Sequence, residues 1–331
     1  MSVIKNKEGI WEWEAERKRF NPVYKDSVIK YLNSLDPLFE RAKETCEFEF
    51  ILTLLRVSGL QDPGWDSYEN TLEVFRCISK IKNKVREFKT IRHIYLLLYG
   101  HILEASEPYE ILANLINVVS GGRFIIDNFP DKSRGKYKIP QSPSEKIDKL
   151  KEMANSLNLG QAIFPLEDIF DRELRNAIFH SDYSLYNGEV RIRKPVKSYS
   201  HDEINTILNK ALAYHEAFSN LFFMYIRMYE EPKIIPVHPG FSNDPNEKAI
   251  TIIRKGYGLV GLKDKWSKEE LEMGHIPHRI GRFHRYEVKL LDGNRFLTIL
   301  PKDRIIRVNK YLKILPNFLQ KYIVRKIRNK F

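Results

Sequence analysis

The chain has 331 residues, enough for two domains, and 43% of them are hydrophobic, including 17 Tyr and 19 Phe. This composition excludes an intrinsically disordered protein. All of the net charge of +12 comes from residues 233–331, which hold 22 Lys and Arg against 9 Asp and Glu, whereas residues 1–232 are almost neutral. Such asymmetry suggests an appended basic domain that meets nucleic acid or a membrane surface. A basic domain without a polyanion partner is the alternative.

Redox and targeting features of the sequence indicate a cytoplasmic protein. The two cysteines, Cys46 and Cys77, form neither a CxxC pair nor an even framework, which is typical of thiols in a reducing compartment. Residues 1–20 lack the apolar run of a signal peptide, so we expect none. No window approaches ~18 uncharged apolar residues, and we therefore expect no transmembrane segment.

Helical periodicity dominates the first part of the chain. An opening segment to about residue 25 is interpreted as a short helix or arm. Apolar residues then recur at helical spacing over 27–57 and again over 67–104, where either a break near Lys89 and Thr90 or a long bundle arm is expected. A shorter helix is predicted over 109–119, ending at Gly121 and Gly122. The apolar stripe of the second pattern comprises Leu72, Phe75, Ile78, Ile81, Val85, Ile91, Ile94, Leu97 and Leu98.

Turn and capping signals divide the next hundred residues. Residues 121–145 contain prolines and scattered charges and are expected to form a mobile loop or an insertion. Helices are predicted over 144–157 and 165–180, and a hairpin over 184–192 around Asn187 and Gly188. Ser200 and Glu203 form a capping-box pattern that opens a last long helix, ending near residue 229. Antiparallel helices with short connections predict a mainly α helical bundle.

The pattern changes after prolines at positions 232, 236 and 239. An apolar β-branched run covers 249–254, and a hairpin is predicted around Asp292, Gly293 and Asn294. A basic amphipathic helix is predicted over 311–330. We therefore expect a helical domain over residues 1–232 and a smaller basic α+β domain over residues 233–331.

Arg175 and His180, five positions apart near the end of the helix predicted over 165–180, are the candidate catalytic pair. On an ideal helix this separation does not point both side chains the same way. Arg175 is predicted to point away from the core. Phe179 is predicted to lie almost opposite the apolar face and therefore to be exposed. The pair is better arranged if the helix loosens at its end, or if a two-fold mate supplies complementary residues. The predicted core face comprises Leu166, Ile169, Phe170, Leu174, Ala177 and Ile178.

An arginine beside a histidine suits cleavage of RNA without a metal. A histidine, whose ordinary pKa is about 6.5, can take a proton from a ribose 2′-hydroxyl near neutral pH. An arginine binds two oxygens at once and can stabilise the charge that develops on the phosphate. We therefore expect neither a metal nor a cofactor.

The spacing of this pair is not specific by itself. Arg279 and His284 have the same separation, although Pro277 and Gly281 argue against a helix there. The helical context of Arg175 and His180 must therefore distinguish the candidate site from a chance match.

That context resembles a known family. The segment RNAIFH at the end of a late helix is similar to the Rx4–6H motif of HEPN domains. The continuation HSDYSLYNGEVRI and the long helix after it resemble HEPN proteins of prokaryotic conflict systems, over residues 26–230. The resemblance implies a helical bundle that forms a homodimer and cleaves RNA to leave 2′,3′-cyclic phosphate ends. It implies catalytic roles for Arg175 and His180 and a supporting role for Asn176, and Asp182 and Tyr183 are neighbours that could orient His180.

The resemblance also implies a role in toxin–antitoxin systems or anti-phage defence. The chain lacks a nucleotidyltransferase-like Gly-Ser followed by paired aspartates, so an antitoxin would be a separate protein. The alternative is a non-catalytic HEPN-like module that dimerises and binds nucleic acid. In that case Arg175 would pair with Asp171, and His180 would cap its helix.

Two other regions of the sequence could bind ligands. The segment GHIPHRIGRFHR has an HxxH pattern without a cysteine or a placed carboxylate, so a basic loop is favoured over a metal site. The last helix could lie on a membrane, but packing on its own domain or contact with RNA is favoured. The candidate nucleic-acid-binding residues are Arg279, Arg282, Arg285, Lys321, Arg325, Lys326 and Arg328.

Overall fold

The computed structural model describes residues 3–14, 21–55, 67–82, 84–125, 127–238, 246, 248–264, 284–289 and 295–300. Within these residues the protein is mainly helical, with small antiparallel sheets, and the expected α-rich class is confirmed. The chain forms two compact units, one drawn from Met1–Thr45 and Ser67–Met224, the other from Cys46–Asp66 and Tyr225–Phe331. The domain division at residue 232 stays a prediction.

The elements follow one another in this order along the residues that the structure describes. The helices are α1 (Pro22–Thr45), α2 (Glu47–Leu55), α3 (Ser67–Lys82), α4 (Phe88–Glu104), α5 (Ser106–Val119), α6 (Pro143–Asn155), α7 (Phe164–Ile169), α8 (Arg172–Phe179) and α9 (His201–Arg227). The strands are β1 (Val3–Lys5), β2 (Trp11–Trp13), β3 (Lys132–Arg134), β4 (Tyr137–Ile139), β5 (Tyr183–Tyr186), β6 (Glu189–Ile192), β7 (Lys197–Tyr199), β8 (Ile234–Pro236), β9 (Lys248–Arg254), β10 (Gly258–Asp264), β11 (His284–Lys289) and β12 (Arg295–Leu300).

The core of the first unit lies between α1, α5 and α9. The rings of Phe39 on α1 and Phe218 on α9 meet edge to face, with their centroids 6.3 Å apart. Both rings are buried, as are Tyr31 on α1 and Tyr214 on α9. One apolar face of α1 and one of α9 therefore form this core, because burial of one face is what stabilises an amphipathic helix.

The N-terminal segment is a hairpin of β1 and β2, so the expected short helix or arm is wrong over residues 3–14. The indole Nε1 of Trp11 donates to Asp36 Oδ2 at 2.6 Å, and Lys5 Nζ lies 2.7 Å from the same oxygen. Asp36 is 2% exposed, and a buried carboxylate needs such partners. A hairpin held by a residue of α1 is a long-range arrangement that local periodicity does not contain.

Two of the predicted long helices are divided. The first pattern forms α1 and α2, which are separated at Cys46. The second forms α3 and α4, and the expected break lies just before Lys89, since α4 begins at Phe88. The core face of α4 is also displaced from the predicted stripe. Leu97 is 58% exposed, because Leu96 and Tyr99 occupy the buried side of the helix instead.

The helix predicted over 165–180 is likewise wrong as a single element. Phe170 and Asp171 are extended, with ψ values of 108° and 109°, and separate α7 from α8. The buried Tyr99 hydroxyl bridges this break, donating to Ile169 O and accepting from the Asp171 N–H, both at 3.0 Å. The predicted core face persists across the break, and of its members the structure buries Leu166, Ile169, Leu174, Ala177 and Ile178.

Several shorter elements agree with the sequence. The hairpin of β5 and β6 turns at Asn187 and Gly188, whose positive φ angles of 48° and 83° suit a two-residue turn. Ser200 and Glu203 form the predicted capping box at α9. The expected loop or insertion over 121–145 contains the β3–β4 hairpin. Asn128 lies just before this hairpin. The Glu110 carboxylate holds it in place, accepting from Asn128 N at 3.0 Å and from Asn128 Nδ2 at 2.8 Å.

The second unit joins α2 and the last turn of α9 to an antiparallel sheet in the order β10-β9-β8. The rings of Phe50 and Tyr225 meet edge to face at 5.4 Å, and Lys233 Nζ donates to Glu47 Oε2 at 2.6 Å. The strand expected over 249–254 is confirmed as β9, and the hairpin expected around residues 292–294 as β11 and β12. The helix predicted over 311–330 lies outside the described residues. Of the helices that are described, none is long and apolar enough to cross a membrane.

Candidate functional site

The candidate catalytic helix, α8, is fixed at both ends. At its start the Asp171 carboxylate accepts from Leu174 N at 2.8 Å and from the Tyr199 hydroxyl at 2.8 Å. At its end Ser181 adopts a left-handed conformation with φ 55°, and Asp182 N donates to Ala177 O at 2.8 Å. This last bond closes a Schellman motif, which satisfies carbonyls that a helix otherwise leaves unpaired.

Arg175 is held on three sides. Its Nε donates to Glu104 Oε1 at 2.6 Å, and its Nη2 contacts the same oxygen. Its Nη1 donates to Asn176 Oδ1 at 2.8 Å, and the guanidinium carbon lies 5.1 Å from the centroid of the Phe179 ring. The ion-pair partner is therefore Glu104 on α4, whereas the sequence had offered Asp171. Paired hydrogen bonds to one carboxylate fix the plane of a guanidinium.

His180 is the residue at which α8 ends. Its backbone N–H donates to Asn176 O at 2.9 Å, and its ψ of 1° has already departed from helical geometry. The side chain is exposed, and its imidazole makes no hydrogen bond or ion pair within the described part of the chain. An exposed imidazole is accessible to a substrate or to another protein surface.

Asn176 connects the two candidate residues. Its side-chain oxygen accepts from Arg175, and its backbone oxygen accepts from the N–H of His180. The side chain of Asn176 thus orients Arg175, whereas its contact with His180 is the ordinary backbone bond of a helix. The supporting role expected for Asn176 stays a prediction.

The other two neighbours have different contacts. The Tyr183 hydroxyl shares a hydrogen bond of 2.8 Å with His93 Nδ1 on α4, and burial raises the pKa of Tyr183. Asp182 caps α8 through its backbone. Among the described residues, neither the Asp182 nor the Tyr183 side chain is hydrogen-bonded to His180. The Tyr183 hydroxyl, which was expected to orient His180, contacts His93 instead.

One face of α4 carries residues that the sequence did not single out. An added Cβ at Gly100 would lie 3.0 Å from two ring atoms of Phe179, so the ring rests against the backbone of α4. Phe179 remains 47% exposed, as predicted. We name the α4–α8 face as His93, Leu97, Gly100, Glu104, Arg175, Asn176, Phe179 and His180. The members from α4 recur at helical spacing. Because they include polar, small and apolar residues, hydrophobic periodicity in the sequence does not identify them as one face.

The basic candidates near the C-terminus are described only in part. Arg285 lies on β11, where it is paired in register with Ile299 of β12. Arg279, Arg282, Lys321, Arg325, Lys326 and Arg328 lie outside the described residues. Where the structure does describe the chain, no three His, Cys, Asp or Glu residues form a group that could hold a metal ion.

Comparisons with known proteins give no match. No protein-family model, no curated protein and no solved structure matches this chain.

Proposed function

We propose that this protein is a HEPN-like, metal-independent endoribonuclease of the cytoplasm. Arg175 and His180 act in it at a site that a second copy of the chain completes. The observation that supports the proposal is their arrangement on α8, where Asn176 is bonded to both. The guanidinium is oriented by its contacts, and the imidazole is accessible. These are the properties that a charge-stabilising group and a proton-transfer group require.

The reaction assigned to this pair is transfer of a phosphodiester within one RNA strand. His180 takes the proton of a ribose 2′-hydroxyl, and the resulting oxygen attacks the adjacent phosphorus. The bond to the 5′ oxygen of the next nucleotide breaks, leaving a 2′,3′-cyclic phosphate on one product. Arg175 stabilises the negative charge of the intermediate phosphorane through the positive charge of its guanidinium, which Glu104 and Asn176 orient.

The leaving 5′ oxygen needs a proton, which supports a dimeric site. On an ideal helix, positions 175 and 180 are about 140° apart around the axis, which favours a site to which two chains contribute. In an isologous dimer the two copies of His180 share one groove, one as base and the other as acid. Exposed Leu97 and Phe179 on the α4–α8 face supply apolar surface for such an interface.

Cleavage of a mixed RNA substrate in EDTA tests this proposal. We expect wild type to cleave, Arg175→Ala to lose about 100-fold or more, and His180→Ala a similar factor. Arg172→Ala is the matched control, since it removes an exposed arginine of the same helix that contacts Ser144 and lies outside the candidate site. Equal activity in all variants, or no cleavage of any RNA by wild type, would contradict the assignment.

A second candidate function is non-catalytic binding of nucleic acid by the dimer. The observation that favours it is the ion pair of Arg175 with Glu104, since an arginine held in this way can serve the fold alone. This alternative predicts RNA retention that falls with added salt but survives Arg175→Ala and His180→Ala. Retention without cleavage in wild type would favour it over the ribonuclease.

The proposed biological role is that of a toxin or an anti-phage effector restrained by a separate antitoxin protein. Cleavage of cellular RNA would arrest the growth of the cell that expresses the protein. Growth arrest on expression of wild type, relieved by His180→Ala at equal protein level, is the expected result. Equal arrest by both proteins would contradict this role.

A further inference from the structure

A cavity of about 650 Å³ lies in the second unit, between the last turn of α9 and the β9–β10 turn. Pockets that bind small molecules measure roughly 300–1,000 Å³, so this volume is sufficient for one. All of its lining residues belong to the second unit, and none belongs to the α4–α8 face. The cavity is therefore distinct from the candidate ribonuclease site.

The backbone fixes the shape of the cavity. Gly258 has φ 100°, and an added Cβ there would lie 2.3 Å from Ile226 O, so β10 starts directly against α9. In the adjoining turn Tyr257 N donates to Arg254 O at 3.0 Å, and Gly256 has φ 77°. A type II turn requires such a φ at its third position. The turn therefore presents Lys255 and Tyr257 in a defined arrangement.

The charged residues that line the cavity are mainly cationic. Arg227, Arg254 and Lys255 contribute positive charge, against a single carboxylate from Glu230. Concentration of one sign of charge in a concave site raises the local concentration of ligands of the opposite sign. The cavity is therefore suited to an anion such as a phosphate group.

The cavity also offers a flat aromatic surface. The guanidinium carbon of Arg254 lies 4.5 Å from the centroid of the Tyr257 ring, and Tyr257 is 39% exposed. Planar heterocycles stack on such surfaces. Tyr229 lines another wall. Burial raises its pKa, and its hydroxyl donates to Glu47 Oε1 at 3.0 Å, so it contributes a neutral ring.

We propose that this cavity binds a nucleotide, with its phosphate on Arg227, Arg254 and Lys255 and its base stacked on Tyr257. The combination of clustered cations with one accessible ring favours a nucleotide over a simple anion. A free nucleotide and one nucleotide of an RNA strand both have this chemistry. The inference goes beyond the proposed ribonuclease activity and requires neither Arg175 nor His180.

Calorimetric titration of the full chain tests the proposal, with ADP, a five-nucleotide single-stranded RNA and inorganic pyrophosphate as probes. We expect saturable binding of ADP or of the RNA. We expect Tyr257→Ala to weaken it about tenfold, because stacking of one base contributes roughly 1–3 kcal/mol. Lys255→Glu reverses an exposed charge, so it leaves the core intact, and we expect it to weaken binding at least as much.

Tyr186→Ala is the matched control. Arg191 lies 4.4 Å from the ring centroid of Tyr186 on the β5–β6 hairpin, which gives the same kind of pair in the first unit. We expect this variant to bind as wild type does. Tighter binding of ADP than of the RNA would identify a free nucleotide as the ligand, and the reverse order an RNA strand. Either result supports the proposal.

Three results would overturn it. They are the absence of saturable binding of both nucleotide probes, pyrophosphate binding as tight as that of ADP, and equal weakening by Tyr186→Ala and Tyr257→Ala. Thermal unfolding of each variant identifies any that fail to fold. If Tyr257→Ala fails to fold, the binding measured for Lys255→Glu decides whether the cavity binds a nucleotide. Because Arg175→Ala and His180→Ala leave this cavity intact, failure of the ribonuclease assignment does not affect the titration.

Discussion

Arg175 on α8 donates two hydrogen bonds from one edge of its guanidinium to the carboxylate of Glu104, the last residue of α4. The contact joins residues 71 positions apart and directs the remaining edge of the guanidinium towards Asn176. It therefore connects the stability of the first unit with the orientation of the candidate catalytic arginine.

Glu104→Gln is expected to lower the free energy of unfolding by about 1 kcal/mol, because both partners of the ion pair are partly exposed. A double-mutant cycle with Arg175→Ala isolates the coupling between the two side chains. Urea denaturation provides the measurement, with Glu152→Gln on the exposed side of α6 as control. Additive effects of Glu104→Gln and Arg175→Ala would show that the contact contributes nothing.

Ser181→Gly is expected to stabilise the protein by about 0.5–1 kcal/mol. Ser181 has φ 55°, a conformation that costs a side chain energy and that glycine adopts freely. Ser184→Gly is the control, since Ser184 lies in β5, where glycine is expected to destabilise. Thermal or urea unfolding should move the two variants in opposite directions. Destabilisation by both would contradict the proposed helix end.

The first unit should lose stability as the pH falls, because of His215. This imidazole is stacked on Phe75 with the centroids 3.7 Å apart, and burial, together with nearby His101, lowers its pKa to about 4. Below the ordinary histidine pKa of 6.5 the unfolded chain then binds more protons than the folded one. The free energy of unfolding should fall between pH 6.5 and about 4, by up to about 3 kcal/mol.

His215→Phe should flatten this pH dependence, since it removes the titrating group and keeps an aromatic ring against Phe75. His180→Ala is the control, because it deletes an exposed histidine. Urea midpoints measured at intervals from pH 7 to about 4 provide the test. An unchanged slope in His215→Phe would exclude His215 as its source.

Phe179→Asp is expected to weaken the proposed dimer at least tenfold, because it places a charge in the apolar part of the α4–α8 face. Sedimentation velocity over a range of concentrations measures the change. Val196→Asp is the control, since Val196 is 92% exposed in the β6–β7 turn and lies outside that face. A monomeric wild type, or equal weakening by both substitutions, would contradict the proposed interface.

Local signals in the sequence predicted the short elements better than the long ones. The Asn187–Gly188 turn and the Ser200–Glu203 box depend on neighbouring residues, and both occur as predicted. The helix containing the candidate pair was predicted as one element and is two. The bridging hydroxyl of Tyr99 comes from α4, so no local pattern could reveal the break.

The candidate site was predictable only in part, for the same reason. Arg175, Asn176 and His180 are close in sequence, so the helical periodicity around them was enough to predict that they lie together near the end of a helix. Glu104 and His93 reach the site from α4, and the sequence contains no sign of those contacts. The predicted exposure of Phe179 is correct, since it follows from the position of the residue around a helix axis.

The most direct test of the ribonuclease assignment is the chemistry of the RNA ends produced in EDTA. Mass spectrometry of the products of a defined oligoribonucleotide distinguishes the possible ends. We predict 2′,3′-cyclic phosphate ends from wild type, and their loss in both Arg175→Ala and His180→Ala. Products ending in a 3′-hydroxyl, or cyclic phosphates formed equally by His180→Ala, would contradict catalysis by this pair.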